Sequence, residues 1–264
     1  VSAVRRLPIR EVAKVWGRDR LPEPFTTPAG ERIGEIWFEP QPPVSGLLAK
    51  YLFTSEKLSV QVHPSDAQAP EGLSGKEECW LVLDAEPGAA LAIGFDEPLD
   101  RKAMRAAALD GSIEQLLTWH EAKRGDFFYL PAGTVHAIGP GLSLVEIQQN
   151  SDITYRLYDY GRPRELHLDQ ALAVACGEPY DAALRSHVDF SQNVRLVDGP
   201  KFTLDLVVSA QMPTVDGPCL VMPLEGAVTL AGETLGPGTC SAVEDVSQIS
   251  PSADGKLLIA TALT

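Results

Sequence analysis

At 264 residues, 44% of them hydrophobic, the chain is long enough to bury one large core or two smaller ones, which argues against disorder. A formal net charge of -14 excludes nucleic acid or an anionic membrane as the main partner, because both need basic surface. The 22 glycines and 21 prolines, spread without a period, point to a mostly β chain of short strands and turns.

Residues 1 to 46, rich in proline and charge, are expected to form an irregular N-terminal arm with one or two strands, one of them in GEIWFEP. Taken locally, Glu35 and Trp37 read as a surface carboxylate and an edge aromatic. LLAKYLFTSEKLSVQV, from Leu47, reads as two strands around a turn at Thr54, Ser55 and Glu56. Ser59, Gln61 and His63 alternate, so they share one face of the second strand. For an isolated strand that face would be solvent; in a closed sheet it lines a polar cavity. EECWLVL, from Glu77, puts Glu78, Trp80 and Val82 on one face and Cys79, Leu81 and Leu83 on the other, with Lys76 on the Glu78 side. A carboxylate on such a face needs a partner if it is buried.

Between residues 99 and 122 the period becomes helical. A helix is expected over Arg101 to Leu109, and a second where Ser112 and Gln115 match a capping box ahead of Ile113, Leu116 and Leu117. His120 reads as a surface residue. GDFFYLPAGTVHAIGPGLSLVEIQQNSDITYR, from Gly125, reads as strand, tight turn, strand, with His136 just past the turn and Tyr155 and Arg156 beyond the second strand. Asp169 is placed as the cap of a further helix that stops at Gly177, with His167 bonding locally. From about Asn193 the texture is β again, and no histidine follows His187. Cys79, Cys176, Cys219 and Cys240 lie far apart with no C-x-x-C pair, which predicts reduced, buried thiols. The absence of a span of about 20 apolar residues, and of a signal-peptide core at the start, predicts a cytoplasmic chain with no membrane partner.

Gln61, His63, Glu78 and His136 all fall at ends or faces of short strands in one β region. Two imidazoles, a carboxylate and an amide oxygen suit a divalent metal such as Zn, Mn, Fe, Co or Ni, and a set without cysteine can keep positions open for catalysis. Gly125, Pro131, Gly133 and His136 resemble the second motif of the cupin superfamily, except that Pro140 stands where asparagine is usual. The first motif is altered too: Gln61 replaces a histidine, and Glu78 follows a longer loop. LFTSEKLSVQVHPSD, GKEECWLVL, GDFFYLPAGTVHAIGPG and EIQQNSDITYRLYDYGR, in that order, resemble the short bacterial class I mannose-6-phosphate isomerases, as do GEIWFE and RELHLDQAL.

That resemblance implies a cupin-type β-barrel (jelly roll) with a small helical insertion, followed by a second, degenerate cupin-like β-domain. The expected divisions are a catalytic domain at 1-160, a helical connection at 161-190 and the second domain at 191-264. The implied metal is Zn2+ at Gln61, His63, Glu78 and His136, and the implied partner is a sugar phosphate. Arg156 falls at the catalytic end, with Lys76 and, more weakly, Glu35; Ser59 and Lys76 line the sugar-phosphate site. Lys57, Ser59, Arg162 and Arg164 are candidates to grip the phosphate. Isomerisation between mannose 6-phosphate and fructose 6-phosphate passes through an enediolate, so a base is needed: a water at the metal, Lys76 with a lowered pKa, or Glu35. A cupin oxygenase and a sugar-phosphate sensor without catalysis are the competing classes, and the oligomeric state stays open.

Overall fold

The computed structural model describes residues 4–208, 211–215 and 217–263, and all side chains within them except that of Gln248. Its first part contains strands β1 (Val4–Arg6), β2 (Ile9–Arg18), β3 (Ile33–Phe38), β4 (Leu47–Phe53), β5 (Val60–Val62), β6 (Glu78–Ala85), β7 (Ala90–Phe95), β8 (Leu117–Glu121), β9 (Asp126–Leu130), β10 (His136–Ile138), β11 (Leu142–Gln149) and β12 (Tyr155–Tyr158). Helices α1 (Arg101–Asp110), α2 (Ile113–Leu116) and α3 (Leu168–Val174) complete it. The fold is mostly β with minor helical content.

Two antiparallel sheets form the heart of the molecule. The larger runs in the order Arg185–His187, β9, β6, β11, β4, β3, β2; the smaller runs β12, β5, β10, β7, β8. Their inner faces share a core of Leu52, Trp80, Val82, Leu91, Ile93, Phe128, Ile138 and Leu144. The opposite face of the small sheet, with Val60, Val62, Ala92 and Leu157, packs on Met104, Ala108 and Ala171 of α1 and α3. The opposite face of the large sheet, with Tyr51, Phe53, Cys79, Leu81, Phe127 and Ile147, packs on a six-stranded C-terminal sheet through Phe202, Leu204, Leu220 and Leu258. The large sheet is thus buried on both sides. This explains why β11 shows no clean alternation: all eight of its residues are buried.

Several local expectations are corrected. The N-terminal segment carries three strands; β1 pairs with Ser241–Val243 of the C-terminal sheet and β2 forms the edge of the large sheet beside β3. Glu35 and Trp37 are therefore in a ladder, and Glu35 is buried. Ser112 does not cap α2, because its hydroxyl donates to Asp110 instead, and Leu117 opens β8. Asp100 caps α1 by accepting from the Ala103 N–H. Asp169 lies inside α3, where it pairs with Arg105, while His167 takes the N-cap position and the helix stops at Val174, short of Gly177. His120 is a half-buried β8 residue, and Cys176 is exposed, whereas the other three cysteines are buried thiols. No helix among the described residues is long and apolar enough to cross a membrane.

Candidate metal centre and active-site cavity

Register brings the polar residues together. Gln61 on β5 lies opposite His136 on β10 and, on its other side, opposite Arg156 on β12, so the three make a row across the small sheet. His63 follows β5 with the same parity as Gln61. Glu78 comes from the first position of β6 in the facing sheet. Ligand atoms of His63, Glu78 and His136 all lie within 4.8 Å of one another, and all three residues are buried.

Hydrogen bonding defines the state of the imidazoles. His63 Nδ1 is 2.7 Å from the Ile153 carbonyl and His136 Nδ1 is 2.9 Å from the Thr134 carbonyl. A carbonyl only accepts, so both Nδ1 atoms carry hydrogen and both Nε2 atoms keep a lone pair. Those lone pairs point into the cluster: His136 Nε2 is 3.3 Å and His63 Nε2 3.5 Å from the Glu78 carboxylate. Burial lowers the pKa of each imidazole and, for His63, the Lys76 charge adds to it, so both are neutral. Glu78 Oε1, buried, accepts no hydrogen bond. Two neutral nitrogen donors and an unsatisfied carboxylate oxygen aimed at one point fit a divalent cation.

Lys76 and Gln61 flank this point. Lys76 Nζ lies 2.9 Å from Glu78 Oε2 and 3.1 Å from His63 Nε2. Burial works to lower the Lys76 pKa, but Glu78 and Glu146 outweigh it and the net shift is upward. The expectation of a Lys76 with a lowered pKa is therefore reversed: two carboxylates surround it. Burial works to raise Glu78, and Lys76 overrides it, so Glu78 stays ionised. The Gln61 amide nitrogen is 3.2 Å from His136 Nε2, while its oxygen accepts from the Ser59 hydroxyl at 3.1 Å. Gly75 sets Lys76 in place, since a Cβ there would come 2.4 Å from Asp66 N. Only glycine allows that approach of the loop.

Beyond the cluster opens a cavity of about 360 Å³ whose walls include Glu35, Ser59, Gln61, Lys76 and Arg156. Lys57 and Arg162 do not line it. Lys57 pairs with Glu114, and Arg162 with Glu56 and Asp159. The wall also includes Lys14, Trp16, Lys50 and Glu146, which the sequence did not single out, Trp37 and His167, which were read as an edge aromatic and a locally bonded histidine, and Arg164, one of the phosphate-grip candidates. Glu35 Oε2 accepts from Trp37 Nε1 at 2.9 Å and lies 3.1 Å from Lys14 Nζ. Lys50 and Glu146, opposite each other on β4 and β11, form a buried pair at 2.9 Å, and Glu146 also accepts from Trp80 Nε1. The signal for this pair was present, as each is a lone charge within an otherwise apolar strand.

No protein-family model matches the chain. Among curated proteins, a mannose-6-phosphate isomerase of Streptococcus mutans is 43% identical over 157 residues, covering 56% of this chain and 49% of the relative. ManA of Bacillus subtilis is 44% identical over 137 residues, covering 48% and 43%. These matches span only about half the length of those relatives. YvyI of Bacillus subtilis, whose designation as a mannose-6-phosphate isomerase is itself provisional, is 30% identical over 254 residues, covering 86% of this chain and 80% of its own. In fold, the chain superposes on the Bacillus subtilis mannose 6-phosphate isomerase with a TM-score of 0.76 at 24% identity, covering 98% and 99% of the two chains. A zinc-bound mannose 6-phosphate isomerase gives 0.73 at 15% identity, covering 99% and 100%. With YvyI matched along most of both sequences, the chain belongs to the class I mannose-6-phosphate isomerase family.

Proposed function

We propose that the protein is a metal-dependent aldose–ketose isomerase that interconverts mannose 6-phosphate and fructose 6-phosphate, with zinc at His63, Glu78 and His136 and Gln61 as the adjacent fourth group. The observation that carries this reading is the convergence of two neutral imidazole lone pairs on the buried Glu78 carboxylate, in contact with Gln61 and Lys76, which line the adjoining cavity. The zinc-bound relative of the same fold supports the choice of metal.

When bound, the metal supplies Lewis-acid polarisation of a substrate oxygen. Arg156, next to Gln61 in the strand row, offers its guanidinium to the negative oxygen of the enediolate; no carboxylate among the described residues pairs with it. Lys76 adds a second cation, and Ser59, tied to Gln61, faces the substrate. Glu35 takes both the Trp37 and Lys14 contacts on Oε2, which leaves Oε1 to move the proton between C1 and C2. The buried Lys50–Glu146 pair fixes the wall behind Lys76, whose Nζ is 4.0 Å from Glu146. The cations lining the cavity favour an anionic substrate over those of an oxygenase.

We read the two facing sheets as the closed cupin barrel of a catalytic domain at 1-160, with 161-190 as a connection. The C-terminal sheets at 191-264 enclose a separate core around Val221, Val228 and Ile259 and contain no histidine, which supports a degenerate second cupin unit. The test of function is to strip metal by dialysis against chelator, add back zinc, manganese or cobalt, and follow fructose 6-phosphate formation. Turnover restored by metal supports the isomerase. Sugar-phosphate binding without turnover under any metal would make the protein a sensor.

A further inference from the structure

Lys76 enters the cavity from a loop, and the three successive backbone N–H groups around it are each held. The Gly75 N–H donates to Asp66 Oδ1 at 2.7 Å, the Lys76 N–H to the Pro64 carbonyl at 2.9 Å and the Glu77 N–H to Gln149 Oε1 at 2.9 Å. Gln149 Nε2 also donates to Asp66 Oδ1, at 3.1 Å, so one carboxylate oxygen ties Gly75 directly and Glu77 through Gln149. Asp66 thereby sets the course of the backbone on both sides of Lys76, and with it the point from which the Lys76 side chain reaches Glu78 and His63.

The other oxygen of Asp66 reaches the C-terminal sheet. Lys201 Nζ lies 2.6 Å from Oδ2, and Lys201 belongs to the turn between Val194–Asp198 and Phe202–Val207, two strands of that sheet. The Lys201 ammonium holds the Asp66 carboxyl below the ordinary carboxylate range, so Asp66 is ionised when it accepts from the loop. The same turn makes a second contact. Phe202 packs edge-on against Tyr129 with ring centres 6.0 Å apart, and a Cβ on Gly199 would come 2.7 Å from the Tyr129 hydroxyl. That hydroxyl donates to the Glu77 carboxylate. One turn of the C-terminal sheet thus reaches the residues immediately before and after Lys76, through Asp66 and through Tyr129.

We propose that Lys201 and Asp66 form a latch by which the C-terminal sheet positions Lys76 in the active site. This rests on the isomerase reading for the role of Lys76. Both are positioning residues, since neither lines the cavity. Among the described residues none of the C-terminal sheet does, so the latch gives that sheet a part in the reaction that its own side chains do not supply. The fold itself does not depend on the pair: the two side chains are 35% and 41% exposed, and an ion pair so placed contributes little to stability. Its effect lies in geometry, because a misplacement of about 1 Å near the reacting groups costs up to about 100-fold in rate.

The test compares zinc-loaded wild type, Lys201→Met, Lys201→Arg and Asp66→Asn by steady-state kinetics with mannose 6-phosphate and by amide hydrogen exchange, read by mass spectrometry, of the peptide spanning 74–78. Lys201→Met should lower kcat roughly 10- to 100-fold with KM changed by less than about threefold, zinc content unchanged and Tm within about 4 °C of wild type, while exchange in 74–78 speeds up. Asp66→Asn should act in the same direction, and Lys201→Arg, which keeps the cation, should restore most of both readouts. Should Asp66→Asn fail to fold, the exposed Lys201 substitutions still decide the matter. Adding Lys201→Met to Lys76→Met should leave kcat where Lys76→Met alone puts it, because both act through one side chain. A further drop as large as in the wild-type background would mean general loosening and overturn the positioning role, as would an unchanged kcat in Lys201→Met. Exchange in 74–78 that stays at the wild-type rate in folded Lys201→Met overturns the latch whatever the turnover. A wild type without turnover under any metal, in which exchange still depends on Lys201, supports the latch and removes the isomerase reading.

Discussion

Glu146→Gln should be costly although it changes a single atom. The carboxylate is buried, pairs with Lys50 at 2.9 Å and accepts from Trp80 Nε1 at 3.1 Å. Glutamine keeps the shape and an oxygen for Trp80 but leaves the buried Lys50 ammonium without its counter-charge. Breaking a buried pair on one side typically costs about 3–5 kcal/mol, against about 0–1 kcal/mol for a surface pair. Lys50 Nζ also lies 4.7 Å from the centre of the Trp37 ring, but that contact is present before and after the change and offsets none of the loss. Lys76 retains Glu78. The net expectation is a loss of about 3–5 kcal/mol, or a fall of roughly 6–20 °C in Tm for a chain of this size. Thermal unfolding followed by circular dichroism and calorimetry measures it. Lys50→Met added to Glu146→Gln removes the stranded charge, so the double variant should be more stable than Glu146→Gln alone. A single variant within 1 kcal/mol of wild type, or a double variant less stable than the single one, would refute the argument that this pair is a desolvated, mutually dependent unit.

Arg156→Ala should lower kcat by roughly 100- to 1,000-fold, the usual effect of removing one donor that stabilises an oxyanion, while zinc content stays at the wild-type level. Atomic absorption alongside steady-state rates separates the two, and loss of zinc would place Arg156 in the metal cluster instead. In the metal-free protein, stability should fall as pH drops. His63 and His136 titrate below the ordinary imidazole value when folded, so below about pH 6.5 the unfolded chain binds more protons. The stabilisation is complete above that pH and is lost downward, at up to about 1.4 kcal/mol per pH unit for each histidine. Urea unfolding of chelated protein between pH 7.5 and 5.5 reads it, and a flat profile would mean the imidazoles are not held neutral.

The strands were legible from local pattern, whereas Gln61, His63, Glu78 and His136 read as one site only when the ordered motifs were taken together. Alternation at Ser59, Gln61 and His63 and at Glu78, Trp80 and Val82 gave the correct faces, and the turn before His136 gave its place. Which of those faces was buried could not be read strand by strand, since Gln61 faces a cavity only because β6 of the other sheet covers it. For the same reason Glu35 looked like surface: its burial comes from pairing of β2 with β3 and from Lys14, 21 positions earlier in the chain. The surroundings of the phosphate-grip candidates were the least legible. Lys57 and Arg162 sit beside the right motifs, but Glu114 and Asp159, which capture them, are distant or on a turn whose geometry the sequence does not reveal. Ser112 and Asp169 failed as helix caps through competition, as Asp110 takes the serine hydroxyl and Arg105 the aspartate.

The central claim is that His63, Glu78 and His136 hold a metal on which isomerisation depends. It is tested most directly by measuring bound zinc and fructose 6-phosphate formation together, in wild type and His136→Ala, after chelation and zinc add-back. The account predicts one zinc per chain and metal-restored turnover for wild type, with both lost in a folded His136→Ala. A folded His136→Ala that keeps its zinc and its turnover would contradict it.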